Sequence, residues 1–272
     1  MLAYLRVFLT FARNSLVRDM TFRANFIVDC VASLTWVAMQ LAFYLLIFEF
    51  TPSIGPVGDW GKYEFLVFLA TTLMVNSLVG AFFMPNLSEF SEMIRTGHLD
   101  FALLKPIDTQ FLISLTKIEW STLSNAIFAV ALLVFSLARL NSPPSAVQYM
   151  LYPVYVLCGT AIFYSLMIAL SSISVWLGRN QNLYDFWFYI TNFSRYPMEI
   201  YEGSIGTPLR RTFTFLIPIL VVVNVPARLL AHPLQDQNWP LAGFALLATA
   251  ACLLGSRMMF IRALASYRSA SS

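Results

Sequence analysis

Charged residues are scarce in this chain of 272 residues. Only 11% of the residues are Asp, Glu, Lys or Arg, whereas 58% are hydrophobic and the mean hydropathy is +0.70. An ordinary soluble domain carries roughly 25% charged residues, and so few charges do not cover the outside of a soluble fold. The composition therefore predicts an integral membrane protein. The net charge of +3 is too small to indicate a nucleic-acid partner.

Residues that bind metals, nucleotides or other cysteines are also scarce. The chain has two histidines and three cysteines, and each cysteine falls in a separate apolar run: Cys30, Cys158 and Cys252. This pattern predicts neither a zinc cluster nor a disulfide framework. The only Gly-Lys pair, at 61–62, has Pro56 where a P-loop needs glycine and Tyr63 where it needs Ser or Thr. We expect no catalytic residue, no metal and no cofactor on this chain.

Long apolar runs, in contrast, are abundant. A bilayer core of about 30 Å is crossed by about 20 apolar residues in a helix. Five runs reach this length, at about 26–48, 65–86, 118–138, 149–177 and 241–261. None of them has a charge near its middle, which counts against an ion-coupled carrier because such carriers usually keep an intramembrane carboxylate.

The basic residues orient these runs. Eleven of the 17 Lys and Arg residues precede the first run, lie between the second and third, follow the fourth or end the chain: Arg6, Arg13, Arg18, Arg23, Arg95, Lys105, Lys117, Arg179, Arg257, Arg262 and Arg268. Basic loops stay in the cytoplasm, so we expect both termini and residues 88–108 there. Two cytoplasmic termini need an even number of crossings, and the broken apolar stretch 183–231 then supplies the sixth span.

Residues 1–25 predict a helix in the cytoplasmic membrane interface. Apolar side chains fall on one helical face, and Arg6, Arg13 and Arg18 are placed to contact anionic headgroups. Arg6 and Arg13 interrupt the apolar core that a signal peptide needs, so we do not expect one here. A plain basic tail without a defined helix is the alternative.

Prolines interrupt the stretch 183–231 and leave two paths open. The breaks come at Pro197, Pro208, Pro218 and Pro226. A straight helix over 209–230 satisfies hydropathy and the charge rule, but it has to carry two prolines, each of which removes a backbone hydrogen bond. The other path is a crossing at about 183–200, followed by a re-entrant segment of two short helices over 201–231 on the outer side. The prolines favour the second path.

Residues 88–108, "SEFSEMIRTGHLDFALLKPID", form a polar segment between two apolar runs. Asn86 and Glu89 have the spacing of a capping box for a helix beginning near Leu87. Gly97 is placed to end that helix, and Asp100 to cap a second short helix that Pro106 stops. The segment displays six residues that we predict as a contact surface: Glu89, Glu92, Arg95, Gly97, His98 and Asp100. The alternatives are a simple connecting loop, and a membrane-embedded enzyme or scaffold that uses His98 and Asp100.

Three stretches resemble one transporter family. "IRTGHLDFALLKPID" is similar to the cytoplasmic signature of the type 2 ABC exporter permeases, in particular a branch of paired permeases. "YPMEIYEGSIGTPLRR" and "IPILVVVNVPARLL" resemble the family's Pro-rich re-entrant segment. The resemblance implies an all-α membrane fold with a cytoplasmic interfacial helix, six spans, a coupling helix between the second and third spans, and re-entrant helices before the last.

The resemblance also implies a function and partners. Residues 1–272 would form one permease domain in a cell membrane, such as a bacterial inner membrane. The partners that the resemblance implies are membrane lipids, a second permease, identical or related, and two separate ABC ATPase subunits. ATP and Mg²⁺ would bind those ATPases. The displayed residues of the polar segment, from Glu89 to Asp100, would dock into the ATPase and transmit its movement. Residues 88–108 would then be the coupling region of an exporter.

Overall fold

The structure, a computed structural model, describes residues 2–55, 60–177, 188–189 and 192–267. The chain is an all-α integral membrane protein. The described helices are α1 (Leu2–Thr21), α2 (Arg23–Phe50), α3 (Lys62–Phe82), α4 (Met84–Arg95), α5 (His98–Leu103), α6 (Thr109–Leu115), α7 (Trp120–Leu137), α8 (Ala146–Leu177), α9 (Gly203–Arg211), α10 (Ile219–Ala231) and α11 (Trp239–Ser266). Two short antiparallel strands, β1 (Ser53–Ile54) and β2 (Trp60–Gly61), join α2 to α3.

The five predicted apolar runs are confirmed as helices. Among the residues that the structure describes, five helices are long and apolar enough to cross a membrane: α2, α3 with α4, α7, α8 and α11. At 1.5 Å per residue, the 28 residues of α2 reach about 42 Å, which exceeds the bilayer core. Residues 183–187 and 190–191 of the predicted crossing at 183–200 lie outside the described residues. Its last part, from Phe193 to Ile200, forms two 3₁₀ turns.

The elements gather at two ends of the helix bundle. At one end, which we call the basic end, α1 and residues 84–119 meet the last turns of α8 and α11. Trp176 at the end of α8 donates to Ser266, and Phe90 packs against Phe260 at 6.0 Å. The opposite end, which we call the hairpin end, holds β1, β2 and the connection between α7 and α8. The N-terminal helix, the polar segment and the C-terminal end of the last helix therefore lie on the same side of the bundle.

The core lies along α3, α8 and α10. Helix α3 packs against α7 and α10, and α8 packs against α10 and α11. Nearly every residue of α10 and of the first half of α3 is buried. Helix α2 differs, because its main neighbour is α7 and its other faces expose large apolar side chains such as Ile27, Val31 and Phe43.

Residues 2–21 form the helix predicted for the N-terminus. It is separated from α2 by a break at Phe22, and Leu5, Leu9, Leu16 and Met20 are exposed on it. A second face of α1 is tied to the basic end, where Ser15 accepts from the Ile118 N–H at 3.1 Å. The helix itself is confirmed, and its place in the membrane interface stays a prediction.

The stretch 201–231 is two helices and not one straight span. Helix α9 passes into a π-helical turn, Thr212–Leu216, and the axis then bends by 88° before α10. Pro218 lies at the joint. Helix α9 has no buried residue, whereas α10 is almost wholly buried. The straight helix over 209–230 is therefore wrong.

Pro208 and Pro226 do not break their helices; they lie inside α9 and α10. Pro226 has no N–H to donate to the carbonyl of Val222 one turn earlier. Helix α8 approaches that same carbonyl at Gly159, where an added Cβ would lie 2.5 Å from the Val222 oxygen. Only glycine permits this approach, so α8 packs directly on the backbone that the proline leaves unpaired.

A polar cluster holds the bent pair to the hairpin end. Glu199 forms an ion pair with Arg228 of α10 and accepts from the Trp60 indole N–H at 3.0 Å. Asn224, fully buried, accepts from the Met198 N–H at 2.8 Å. Gln148 of α8 donates to the carbonyls of Leu229 and His232. We call this group, centred on Trp60, Glu199 and Arg228, the hairpin-end cluster.

Candidate functional site

Gly97 separates the two helices of the polar segment. It has φ +74°, in the left-handed region that favours glycine, and α4 ends just before it while α5 begins just after it. One face of α4 packs inward through Leu87, Phe90 and Ile94. The prediction that Gly97 ends the first helix is confirmed. The segment is two helices, of which α4 is anchored to the bundle.

The predicted capping box is wrong. Helix α4 begins at Met84, with Pro85 in its first turn, and not near Leu87. Asn86 is buried and binds both backbone groups of Lys117: it donates to the carbonyl at 2.7 Å and accepts from the N–H at 2.8 Å. Glu89 pairs with the Lys117 ammonium. Both residues thus hold the segment to the turn before α7, across 31 and 28 residues of sequence that no local spacing reveals.

Asp100 does not cap the second helix, which is a further correction. Helix α5 begins at His98 with Gly97 as its N-cap residue and has no side-chain cap. Asp100 lies in the first turn and interacts with the Tyr267 hydroxyl. His98 Nδ1 lies 2.8 Å from the Thr96 hydroxyl. The two side chains have different partners, so no His/Asp catalytic pair is built here.

Glu92, Arg95 and His98 are exposed at the surface of the basic end. Arg95 Nε donates to Glu92 Oε2 at 2.8 Å, and the two side chains are 62% and 56% exposed. An exposed pair of this kind contributes little to folding. It presents adjacent opposite charges to a partner.

Exposed apolar side chains lie beside these charges, and the sequence reading did not identify them. Phe101 is 67% exposed and Leu104 is 81% exposed. Partner-binding surfaces commonly combine an apolar centre with a polar rim. The signal in the sequence is the run "FALL" at 101–104, in which α5 turns only Leu99 and Ala102 inward.

A second network connects the polar segment to the last helix. Asp108 caps α6 by accepting from the Phe111 N–H at 3.0 Å. The Arg257 guanidinium of α11 binds both oxygens of Asp108 and also Gln110 Oε1 at 2.9 Å. Gln110 in turn donates to Tyr164 of α8 at 2.9 Å. Charged and polar contacts therefore join the end of the segment to α8 and α11.

The charge of Asp108 is favoured in this network. Partial burial opposes ionisation, but the hydrogen bonds from Arg257 and from the Phe111 N–H outweigh it and lower the pKa of the carboxyl from its ordinary value. The pair with Arg257 is thus formed at neutral pH.

The remaining predicted site residues are spread over the bundle. Arg6, Arg13 and Arg18 are exposed on α1, where Arg18 binds Asp19. Pro197 is buried beside the hairpin-end cluster. Among the residues that the structure describes, no group of three His, Cys, Asp or Glu side chains is placed to hold a metal ion.

Comparison with known proteins gives one family. The family model "ABC-2 family transporter protein" matches residues 34–271. The matched range includes the polar segment, the bent pair and most of α2, and it leaves out α1. No curated protein and no solved structure matches the chain.

Proposed function

The chain belongs to the ABC-2 transporter family and is a membrane permease, and we propose that it is the membrane subunit of an exporter driven by separate ATPases. In this proposal two ABC ATPase subunits bind ATP and Mg²⁺, and a second permease, identical or related, completes the pathway. The observation that carries the proposal is the polar segment. It presents charged and apolar side chains outward, while Asp108 at its end is bound to the last helix.

We propose that the ATPase grips α4 and α5 around Gly97. Phe101 and Leu104 enter an apolar groove of the ATPase, and Glu92, Arg95 and His98 form the rim. Glu89 pairs with Lys117 and Asp100 interacts with Tyr267, so in this proposal they hold α4 and α5 in place and do not contact the ATPase. Closure of the ATPase pair then moves the segment as a unit, because Asn86 and Asp108 tie it to the spans.

A charge exchange tests the contact. Glu92→Lys with Arg95→Glu keeps an opposite-charge pair on α4 but inverts the field that the ATPase meets. The matched control is Glu49→Lys with Lys62→Glu, an exposed pair at the hairpin end. Affinity purification from native membranes should lose the co-eluting ATPase in the first variant and keep it in the control. Retained ATPase and normal transport in the first variant would show the segment to be only a loop.

Gly97 gives a second test of the same contact. Gly97→Val penalises the left-handed conformation by about 1–2 kcal/mol. We expect this variant to stimulate ATP hydrolysis by the partner ATPase less than the wild-type permease does. Gly97→Asn is the control, because asparagine tolerates that conformation. Equal activity of the two variants would remove the hinge from the mechanism.

The proposed orientation places both termini and the polar segment in the cytoplasm of a cell membrane. Single cysteines at Ser91 and Ser269 should label only from the cytoplasm, and those at Ser142 and Ser204 only from outside. The background should carry serine at the three native cysteines, which are partly exposed. Outside labelling of Ser91 would overturn the orientation, and protection of Ser204 would overturn the outer re-entrant path.

A further inference from the structure

A polar cleft opens within the membrane-spanning bundle between α2, α3 and α7. Its volume is about 180 Å³. The described lining residues are mainly polar: Ser33, Gln40, Thr72, Asn76, Ser77, Thr122, Asn125 and Arg195. Ser33 lies ten residues from the start of α2 and Gln40 ten residues from its end, so each is about 15 Å from an end of the helix. The cleft therefore lies within the length of the first span and reaches the first turns of α7, at a depth where polar groups without partners are costly.

The cleft presents hydrogen-bond acceptors. Thr72 and Ser77 donate their hydroxyl hydrogens to carbonyls of their own helix, which leaves the oxygen lone pairs available. Asn125 donates its amide to Ser33 at 2.5 Å, and its buried Oδ1 has no partner among the described residues. The buried Asn125 Oδ1 requires a donor, and the two hydroxyl oxygens can accept one. A ligand with hydroxyl groups supplies them.

Arg195 gives the cleft a positive charge. Its guanidinium lies 5.6 Å from the centre of the Phe188 ring, and none of the described lining residues is acidic. A cation at this depth favours an anion. The required ligand therefore carries both a negative charge and hydroxyl donors.

The mouth of the cleft lies on the apolar surface of α2. Trp36, which lines the cleft, is 61% exposed, whereas Val37 beside it is 4% exposed. Large apolar side chains continue along the same helix at Met39 and Phe43. The volume is below the roughly 300–1,000 Å³ of sites that enclose a drug-sized ligand. It suits a headgroup whose acyl chains stay outside, along α2.

We propose that this cleft binds the anionic, hydroxyl-bearing headgroup of a membrane amphipath. Arg195 binds the phosphate or carboxylate, Asn125 Oδ1 accepts from a hydroxyl, and the tail lies on the apolar face of α2. That this amphipath is also the class of molecule transported rests on the proposed function. Binding itself does not.

The test uses the purified full-length permease without any ATPase, delipidated and titrated with single lipids under native mass spectrometry. Phosphatidylglycerol carries a phosphate and hydroxyls, phosphatidic acid lacks the glycerol hydroxyls, and phosphatidylcholine has no net charge. We expect the permease to retain phosphatidylglycerol best, phosphatidic acid less and phosphatidylcholine least. Arg195→Gln should weaken phosphatidylglycerol about tenfold, the scale of one charged hydrogen bond. The control Arg139→Gln, which removes an exposed arginine beside Phe135 at the hairpin end, should change nothing.

Asn125→Leu tests the hydroxyl site and serves if Arg195→Gln does not fold. It should weaken phosphatidylglycerol and leave phosphatidic acid unchanged. Equal retention of phosphatidylcholine, an equal loss in Arg139→Gln, or displacement of the lipid by soluble glycerol phosphate at equal concentration would overturn the proposal. An ATPase that co-purifies while phosphatidylglycerol fails to bind would overturn this inference alone. Lipid binding without any ATPase partner would overturn only the proposed function.

Discussion

Glu199 and Arg228 pair at the hairpin end with side chains only 8% and 23% exposed, whereas Glu92 and Arg95 pair at the basic end with more than half of each exposed. Both are carboxylate–guanidinium pairs. The first lies against Trp60 and joins residues 29 positions apart; the second lies within one helix turn. Burial makes the first pair costly to break and leaves the second available to a partner. One end of the molecule is built for stability and the other for contact.

The largest effect should follow from breaking the buried pair. Glu199→Leu leaves the Arg228 guanidinium without its carboxylate and should cost about 3 kcal/mol. Thermal unfolding in detergent measures the loss. Adding Arg228→Met should recover most of it, because two apolar side chains replace both charges. A double variant as unstable as the single one would show that the charge pair is not the cause.

Packing at the hairpin end gives the next effect. Gly159→Ala places a Cβ 2.5 Å from the Val222 oxygen, and relieving that overlap should cost about 1–3 kcal/mol. The control is Gly243→Ala, where an added Cβ meets nothing within 4 Å. The melting temperature should fall only in the first variant. Equal melting temperatures of the two variants would contradict the close contact between α8 and the Val222 carbonyl of α10.

The Asp108–Arg257 pair lies between the two extremes, with side chains 32% and 41% exposed. Asp108→Asn keeps the helix cap and loses the charge, at a cost of about 1 kcal/mol. Since the folded pKa of Asp108 is lowered, this contribution is present above the unfolded pKa and is lost as pH falls through the folded pKa. The stability gap to wild type should be constant from about pH 8 to about pH 5 and close only in stronger acid. If the stability difference between wild type and Asp108→Asn disappears near pH 6, a group other than Asp108 is its cause.

The smallest effect on folding should come from the exposed pair. Glu92→Lys with Arg95→Glu should change the free energy of unfolding by less than about 0.5 kcal/mol. The same variant should lose the ATPase. A large stability loss would mean that the pair supports the fold, and the contrast between the two ends would then disappear.

Hydropathy and basic residues predicted the helices well because membrane spans depend on local composition. The five apolar runs, the N-terminal helix and the end of α4 at Gly97 can each be read from a short window. Asn86 could not, since its partner is Lys117 on a turn after α6. Pro226 misled for the same reason: it lies inside α10, and the carbonyl one turn earlier packs against Gly159 of α8, 67 positions before the proline.

The site was predicted only in part. The polar segment and its exposed charges followed from the sequence, and their role in ATPase coupling stays a prediction. Arg257 was used only as one of the basic residues that orient the chain, whereas it binds Asp108, 149 positions away. The intramembrane cleft was missed because its polar residues come from three helices and Arg195. Each of them is unremarkable within its own apolar run.

The open surface of α2 has a consequence for biosynthesis. Its main neighbour, α7, ends about 87 residues after α2 does. At roughly 5–20 residues per second, the ribosome needs about 4–17 s to supply it. During that time α2 lacks its main neighbour, although α3, which it contacts through Tyr44 and Phe65, is made sooner. Because the outward side chains of α2 are apolar on most faces, they are compatible with the surrounding lipid while α7 is still being made.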